Sequence, residues 1–181
     1  LGPESISSHK DYLEDYLARN PGKIITMERL DPMQLSGIDL DIGILKADTL
    51  VTRPVIDCFR IGIVNLHGSG PLPYYRGRGS LEHALIDLQP ICLSVHLIDE
   101  GIDTGPILLS PELSLGGEET LPEIYAKINA FGTTPLVDGV IGLMNGTIVP
   151  QPQRLDLGHV YSLPDLETET YALKRLRESK G

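Results

Sequence analysis

The stretch DIGILKADTLVTRPVIDCFRIGIVNLHGSG, residues 41–70, decides the fold. Asp41 to Leu45 and Ile61 to Val64 are aliphatic runs, apolar enough to be strands buried on both faces. Between them, Pro54 to Phe59 reads as a short helix or turn. Strand, crossover and strand in that order favour a parallel sheet.

Outward from this unit the pattern continues. Upstream, Ser8 and Asp11 cap a predicted helix with Tyr12, Leu13, Tyr16 and Leu17 on one face, stopped by Asn20-Pro21-Gly22. Lys23 to Met27 reads as a further strand. Downstream, Asn65 to Gly79 reads as a long loop rich in Gly, Pro and Arg at a strand end, where sites tend to sit. Ser80 to Leu88 reads as a helix. Ile91, Leu93, Val95 and Leu97 alternate with Cys92, Ser94, His96 and Ile98, the mark of a strand. After a turn at Gly101 to Pro106, Ile107 to Leu115 is a strand interrupted by Pro111. Thr120 and Glu123 form a capping box that opens one helix, and Thr134-Pro135 opens a second that ends near Asn145-Gly146. Ile148 to Gln153 is extended. Ser162 to Asp165 caps a tail helix whose Leu166, Leu173 and Leu176 cover the core or a partner subunit, such as a second copy in a homodimer.

A chain of 181 residues is one domain with a short appendage at most. With 41% apolar and 22% charged residues it can build a core. The absence of Trp, with only two Phe, makes that core aliphatic. No apolar run is long enough to cross a membrane. A net charge of −10 disfavours nucleic acid as a partner of the whole surface. Cys58 and Cys92 have neither CxxC nor metal-type spacing, and read as two buried thiols of a cytoplasmic protein. The start at Leu1, without Met or signal-peptide pattern, suggests trimming or a fragment.

Two segments carry chemistry. In the first, Asn65 and His67 stand two apart at a strand end and point to one side. An amide donor beside an imidazole suits a carbonyl reaction, the amide holding an oxyanion while the imidazole moves a proton. A purely structural pair is the alternative. In the second, Asp99, Glu100 and Asp103 crowd a turn closing at Gly105-Pro106, either as solvated acids or as metal or catalytic groups. His96 is a satisfied structural histidine or a site wall. His83 reads as surface or packing, and His9 and His159 have no polar constellation. A zinc site from His67, His96 and a carboxylate matches no standard spacing. Arg76 and Arg78 are loop braces or anion contacts, and Tyr74 and Tyr75 pack or stack on a substrate.

Together these segments resemble the formyltransferase family that uses 10-formyltetrahydrofolate, which includes glycinamide ribonucleotide, methionyl-tRNA and sugar-nucleotide formyltransferases. The pattern runs Asn65-x-His67, Leu72-Pro73, Tyr75-Arg76-Gly77, then Val95-x-x-Ile98 and Ile102-Asp103-Thr104-Gly105-Pro106-Ile107. The resemblance covers roughly residues 35–150. It implies an α/β fold, a Rossmann-like, mostly parallel sheet with helices on both faces, and a catalytic domain over 1–150 with a helical extension over 151–181. It implies catalysis by Asn65, His67 and Asp103, with Asp103 binding His67, fixing its tautomer and raising its pKa. It places the folate against Leu50, Val51 and Thr52 and against Ile98, Asp99, Glu100 and Gly101, and the substrate against Tyr75, Arg76 and Arg78. The donor is 10-formyltetrahydrofolate, without a metal, and the acceptor a small-molecule amine.

This chain also departs from the family pattern. The loop after Asn65 is one residue longer, at Gly70-Pro71. The family's opening strand and Gly-rich turn find no match in residues 1–22, so an element of the sheet is expected to be missing or to lie upstream of Leu1. The family's RNA-binding barrel cannot fit in the residues after Val149. Asn65-Leu-His-Gly-Ser69 with Tyr75-Arg-Gly-Arg78 looks most like the sugar-nucleotide branch, which points to a nucleotide-linked amino sugar. Glycinamide ribonucleotide, methionyl-tRNA and a non-catalytic folate or nucleotide sensor are the alternatives.

Overall fold

In the computed structural model, which describes residues 30–46 and 49–180, two neighbouring parallel strands set the frame. Its elements are α1 (Pro32–Leu35), β1 (Leu40–Leu45), α2 (Arg53–Ile56), β2 (Phe59–Ser69), β3 (Tyr75–Gly77), α3 (Ser80–Ile86), β4 (Ile91–Leu97), β5 (Ile107–Leu109), β6 (Glu112–Leu113), α4 (Leu121–Met144), β7 (His159–Tyr161) and α5 (Leu166–Glu178). The helix expected at Ser8 to Leu17 and the strand at Lys23 to Met27 lie outside the described residues.

The β1–α2–β2 crossover is the expected parallel pair, ending with Leu45 beside Asn65. β2 then runs on to Ser69, through residues that the sequence reads as loop. It stays a strand because β4 pairs with it, from Val64 opposite Leu97 to Ser69 opposite Cys92. That ladder is antiparallel, as are those of β5 and β6 on β4. The α/β class holds, but among the described residues β1–β2 is the one parallel pair in this sheet. β4 begins beside the end of β2, with Cys92 opposite Ser69, and so runs back along it.

Helices flank both faces. Leu66, Gly68 and Val95 point toward α4, while His67, between them on β2, points toward Ser80 at the start of α3. The core is aliphatic, as expected, with Val64, Val95, Leu81, Leu85 and Ile124 nearly inaccessible. The capping box is present, with Thr120 N and Oγ1 donating to Glu123 Oε2 at 2.8 and 2.9 Å. The two helices expected after it are one helix of 24 residues with Pro135 inside. Pro135 forfeits one helical hydrogen bond, a cost of about 3 kcal/mol or more. Packing offsets it. Gly132, Pro135, Gly139 and Gly142 form a buried stripe, and its glycines let the helix lie against Leu66, Val95 and Ile148.

From Pro32 onward the chain is one compact unit. Gln151 exchanges both backbone hydrogen bonds with Ile107, at 2.8 and 2.8 Å. β7 pairs in parallel with β3. α5 starts at the expected cap, Thr168 N donating to Asp165 Oδ1 at 2.8 Å, and buries Ala172 and Leu176 while Leu166 stays 78% exposed. Both cysteines are free thiols, Cys92 buried and Cys58 half-buried.

Candidate active site

β2 outruns β1 by Leu66 to Ser69, and among the described residues no strand pairs with that stretch on the β1 side. A cleft of about 620 Å³ follows that stretch. This is within the usual range of small-molecule sites, roughly 300–1,000 Å³. Asn65, His67, His96 and Asp103 line it, together with Lys46, Arg78, Ser80, Tyr125 and Asn129.

The strand ladder sets the first contact. Asn65 and His96 are directly opposed on β2 and β4, so their side chains share a face. His96 Nδ1–H donates to Leu97 O at 2.8 Å, which leaves Nε2 as an acceptor. Asn65 Nδ2 donates to it at 3.2 Å. The Asn65 amide is therefore turned with its nitrogen inward, one N–H spent on His96 and the other available to a ligand.

His67 is held in the same way. Its Nε2–H donates to Tyr75 O at 2.9 Å, and Ser80 Oγ lies 3.4 Å from the same nitrogen. Its Nδ1 faces Asp103 Oδ2 at 3.5 Å. Asp103 Oδ1 lies 3.6 Å from His96 Nε2, and Gly77 N donates to Asp103 Oδ2 at 2.9 Å. One carboxylate thus sits between two imidazoles at the mouth of the turn. Asp103 itself is in the left-handed region, at φ 51.

Burial opposes ionisation of Asp103, but the two imidazoles beside it, His96 first, and the Gly77 N–H more than reverse it, and hold the carboxyl well below its usual range. His67 behaves differently from expectation. Burial lowers its pKa, and His96 adds to this. The attraction of Asp103 and the hydrogen bond to Tyr75 O do not make up the loss. At neutral pH the pair is an ionised Asp103 beside a neutral His67.

Of the positions matched to folate, Leu50, Val51, Ile98, Asp99 and Gly101 line the cleft, joined by Thr49 and Ile102. Thr52 instead caps α2, its carbonyl accepting from Val55 N and Ile56 N. Glu100 faces Arg53 at 3.5 Å outside the lining. The Asp99 carboxylate ties the turn together, accepting from Gly101 N at 3.0 Å and Thr104 Oγ1 at 2.5 Å. Of the three matched substrate positions only Arg78 lines the cleft. Tyr75 is buried, stacks on Tyr161 and donates its hydroxyl to Asp87 Oδ2 at 2.8 Å. Arg76 is buried, with Nη2 directed to Gly158 O at 3.4 Å. Alternation along β3 and its pairing with β7 turn both into braces.

The structure adds residues that sequence reasoning left open or missed. His96 belongs to the site, and its register opposite Asn65 was the available signal. Lys46 Nζ donates to Asn129 Oδ1 at 2.5 Å across the cleft, a contact 83 residues apart that no local pattern could show. Gln153 reaches the Asp103 turn from the far end of the chain.

The family described as Formyl transferase matches residues 41–140. A methionyl-tRNA formyltransferase of Thermodesulfovibrio yellowstonii is 31% identical over 138 residues, 75% of this chain and 44% of the relative, so this chain spans less than half of that protein's length. The formyltransferase PseJ from Anoxybacillus kamchatkensis, solved with UDP-4,6-dideoxy-4-formamido-L-AltNAc and tetrahydrofolate, superposes with a TM-score of 0.70 at 21% identity, covering 94% of this chain and 95% of that one. An N-formyltransferase from Helicobacter canadensis, solved with folinic acid and dTDP-3-aminofucose, superposes with a TM-score of 0.66 at 19% identity, covering 90% and 62%. At these identities the structural likeness is one of fold.

Proposed function

The chain belongs to the formyl transferase family, and from that premise we propose that it transfers a formyl group from 10-formyltetrahydrofolate to a primary amine carried on a nucleotide-linked amino sugar. The observation that carries this reading is the convergence of Asn65, His67 and Asp103 on one cleft.

The amine attacks the formyl carbon, a new C–N bond forms, and the bond to the folate N10 breaks. The amine gives up a proton and N10 gains one. Asn65 donates its spare N–H to the oxygen that becomes anionic. Neutral His67 presents the Nδ1 lone pair and takes up the amine proton there. Asp103, ionised at 3.5 Å, stabilises the imidazolium until the proton passes to N10. The donor's flat ring suits the apolar walls of Leu50, Val51, Ile98 and Ile102, with backbone groups of the Asp99 turn reading its edge. Arg78 also lines the cleft, and its guanidinium suits the acceptor's phosphates.

The acceptor class rests on the Asn65–Ser69 and Tyr75–Arg78 segments, which resemble the sugar-nucleotide branch, and on the net charge of −10. The curated relative above favours methionyl-tRNA as a second reading. Free thiols at Cys58 and Cys92 support a reducing, cytoplasmic setting. Turnover of 10-formyltetrahydrofolate is measured with nucleotide-linked amino sugars, glycinamide ribonucleotide and methionyl-tRNA as separate acceptors. Formyl transfer to the first alone upholds the proposal. Transfer only to methionyl-tRNA establishes the second reading, and none to any acceptor leaves a binding module.

A further inference from the structure

A non-glycine residue stays in the left-handed region only where its surroundings over-determine it, and Asp103 stands there at φ 51. The carbonyls around it are held from the far end of the chain. Gln153 Nε2 donates to Asp103 O at 3.0 Å and to Gly105 O at 2.6 Å. Gln153 Oε1 is buried and has no hydrogen-bond partner. Turning the amide over would set that oxygen against two carbonyl oxygens, so the side chain keeps both N–H groups on the turn and leaves its own acceptor unpaired. The backbone two residues earlier is pinned by the Gln151–Ile107 bridge, which fixes where the Gln153 side chain starts.

We propose that Gln153 is a positioning residue, whose two hydrogen bonds hold the Asp103 turn so that the carboxylate lies between His67 and His96. The inference rests on the formyl-transfer reading for its catalytic consequence, not for its geometry. The carboxylate contacts are long on the imidazole side, 3.5 and 3.6 Å, and short only to Gly77 N at 2.9 Å. The direction of the Cα–Cβ bond, set by the backbone of the turn, therefore decides whether Asp103 faces His67 at all. Without the Gln153 donors, Asp103 relaxes toward negative φ and its carboxylate swings away from Nδ1.

Gln153→Met keeps most of the side-chain volume and removes both donors. Gln153→Asn keeps the amide but draws it back by one methylene. The imidazole C–H resonances of His67 are titrated by NMR in both variants, in wild type and in Asp103→Asn, alongside thermal melts and steady-state kinetics. With Asp103 displaced, His67 loses an attraction that favours its charged form, so its midpoint in Gln153→Met moves down, in the direction given by Asp103→Asn. kcat falls about 10- to 100-fold, the range expected when a catalytic group is misplaced by about an ångström. KM for donor and acceptor stays within about twofold, because ground-state binding is not what is lost. Gln153→Asn gives the same changes at smaller size, and serves alone if the Met variant does not fold. A folded variant with the wild-type His67 midpoint and kcat within about twofold of wild type overturns the proposal. If wild type transfers no formyl group while Gln153→Met still lowers the His67 midpoint, the positioning role stands and the assigned reaction falls.

Discussion

Asn65 Nδ2 lies 3.2 Å from His96 Nε2, straight across the antiparallel ladder that joins β2 to β4. The contact does more than fill space. It decides which end of the Asn65 amide faces the cleft, since His96 has only a lone pair to offer on that side. His96→Leu removes the acceptor and lets the amide turn its oxygen inward. kcat should fall about 10- to 100-fold while KM changes little. Steady-state kinetics with a melt to confirm folding check this, and an unchanged kcat would free Asn65 from any need of His96.

Asp103→Asn keeps the shape of the side chain and removes its charge. Turnover should drop by roughly 10²–10⁴-fold, the usual worth of acid–base help, with substrate binding little affected. Asn65→Ala removes the proposed oxyanion donor, an expected loss of about 2.7–4 kcal/mol by comparison with other oxyanion holes. The double variant should lose less than the product of the single losses, because both groups serve one charge. Near-wild-type turnover in Asp103→Asn would reduce the acid to a structural part of its turn.

The lowered pKa of His67, from burial first and His96 next, makes stability depend on pH. The unfolded chain binds this proton near pH 6.5, and the folded chain resists it. The contribution is complete above about pH 6.5 and is lost as pH falls from there through the folded value. Denaturant melts at pH 7.5 and pH 5.5 should show wild type losing more stability than His67→Gln over the same interval. Equal losses would contradict the burial of His67.

The legible part of the site was the part written in neighbouring residues. Asn65 and His67 are two apart on one strand, and Asp103 closes a turn with its own Gly-Pro signature. The β1–α2–β2 crossover was legible because its strands are uniformly aliphatic. What escaped depended on partners distant in the chain. The loop reading of Asn65 to Ser69 failed because Gly68 and Ser69 favour no strand, and only β4 makes them one. The break expected at Pro135 failed because glycines three and four residues away on the same face pack the helix to the sheet. Tyr75 and Arg76 looked available to substrate until β7 arrived beside β3. Gln153 carries no local mark, and its role exists only in the contact made 50 residues away.

Gly68 is a packing requirement that can be tested apart from chemistry. A Cβ there would collide with Cγ2 of Ile128, a branch that has little freedom on a helix. Gly68→Ala should cost about 1–3 kcal/mol, a drop of several degrees in Tm. Ile128→Leu, which lacks the branch at Cβ, should recover part of the loss in the same chain. A melt in which Gly68→Ala matches wild type would show that α4 can shift away from β2.

The bridge between Gln151 and Ile107, and the reach of Gln153 to Asp103, also set a clock on biosynthesis. A ribosome adding about 5–20 residues per second needs roughly 3–10 s to travel from Asp103 to Gln153, 50 residues later. Through that interval Asn65, His67 and Asp103 have all been translated, yet the strut that gives the acid its direction does not exist. β3 waits longer for β7, and α3 longer still for α5 and the hydrogen bond from Arg175 Nε to Ile86 O at 3.1 Å. The nascent chain therefore holds Asn65, His67 and Asp103 for seconds in an unassembled form, and the candidate site takes its shape only after the stretch from Gln151 to Glu178 has followed.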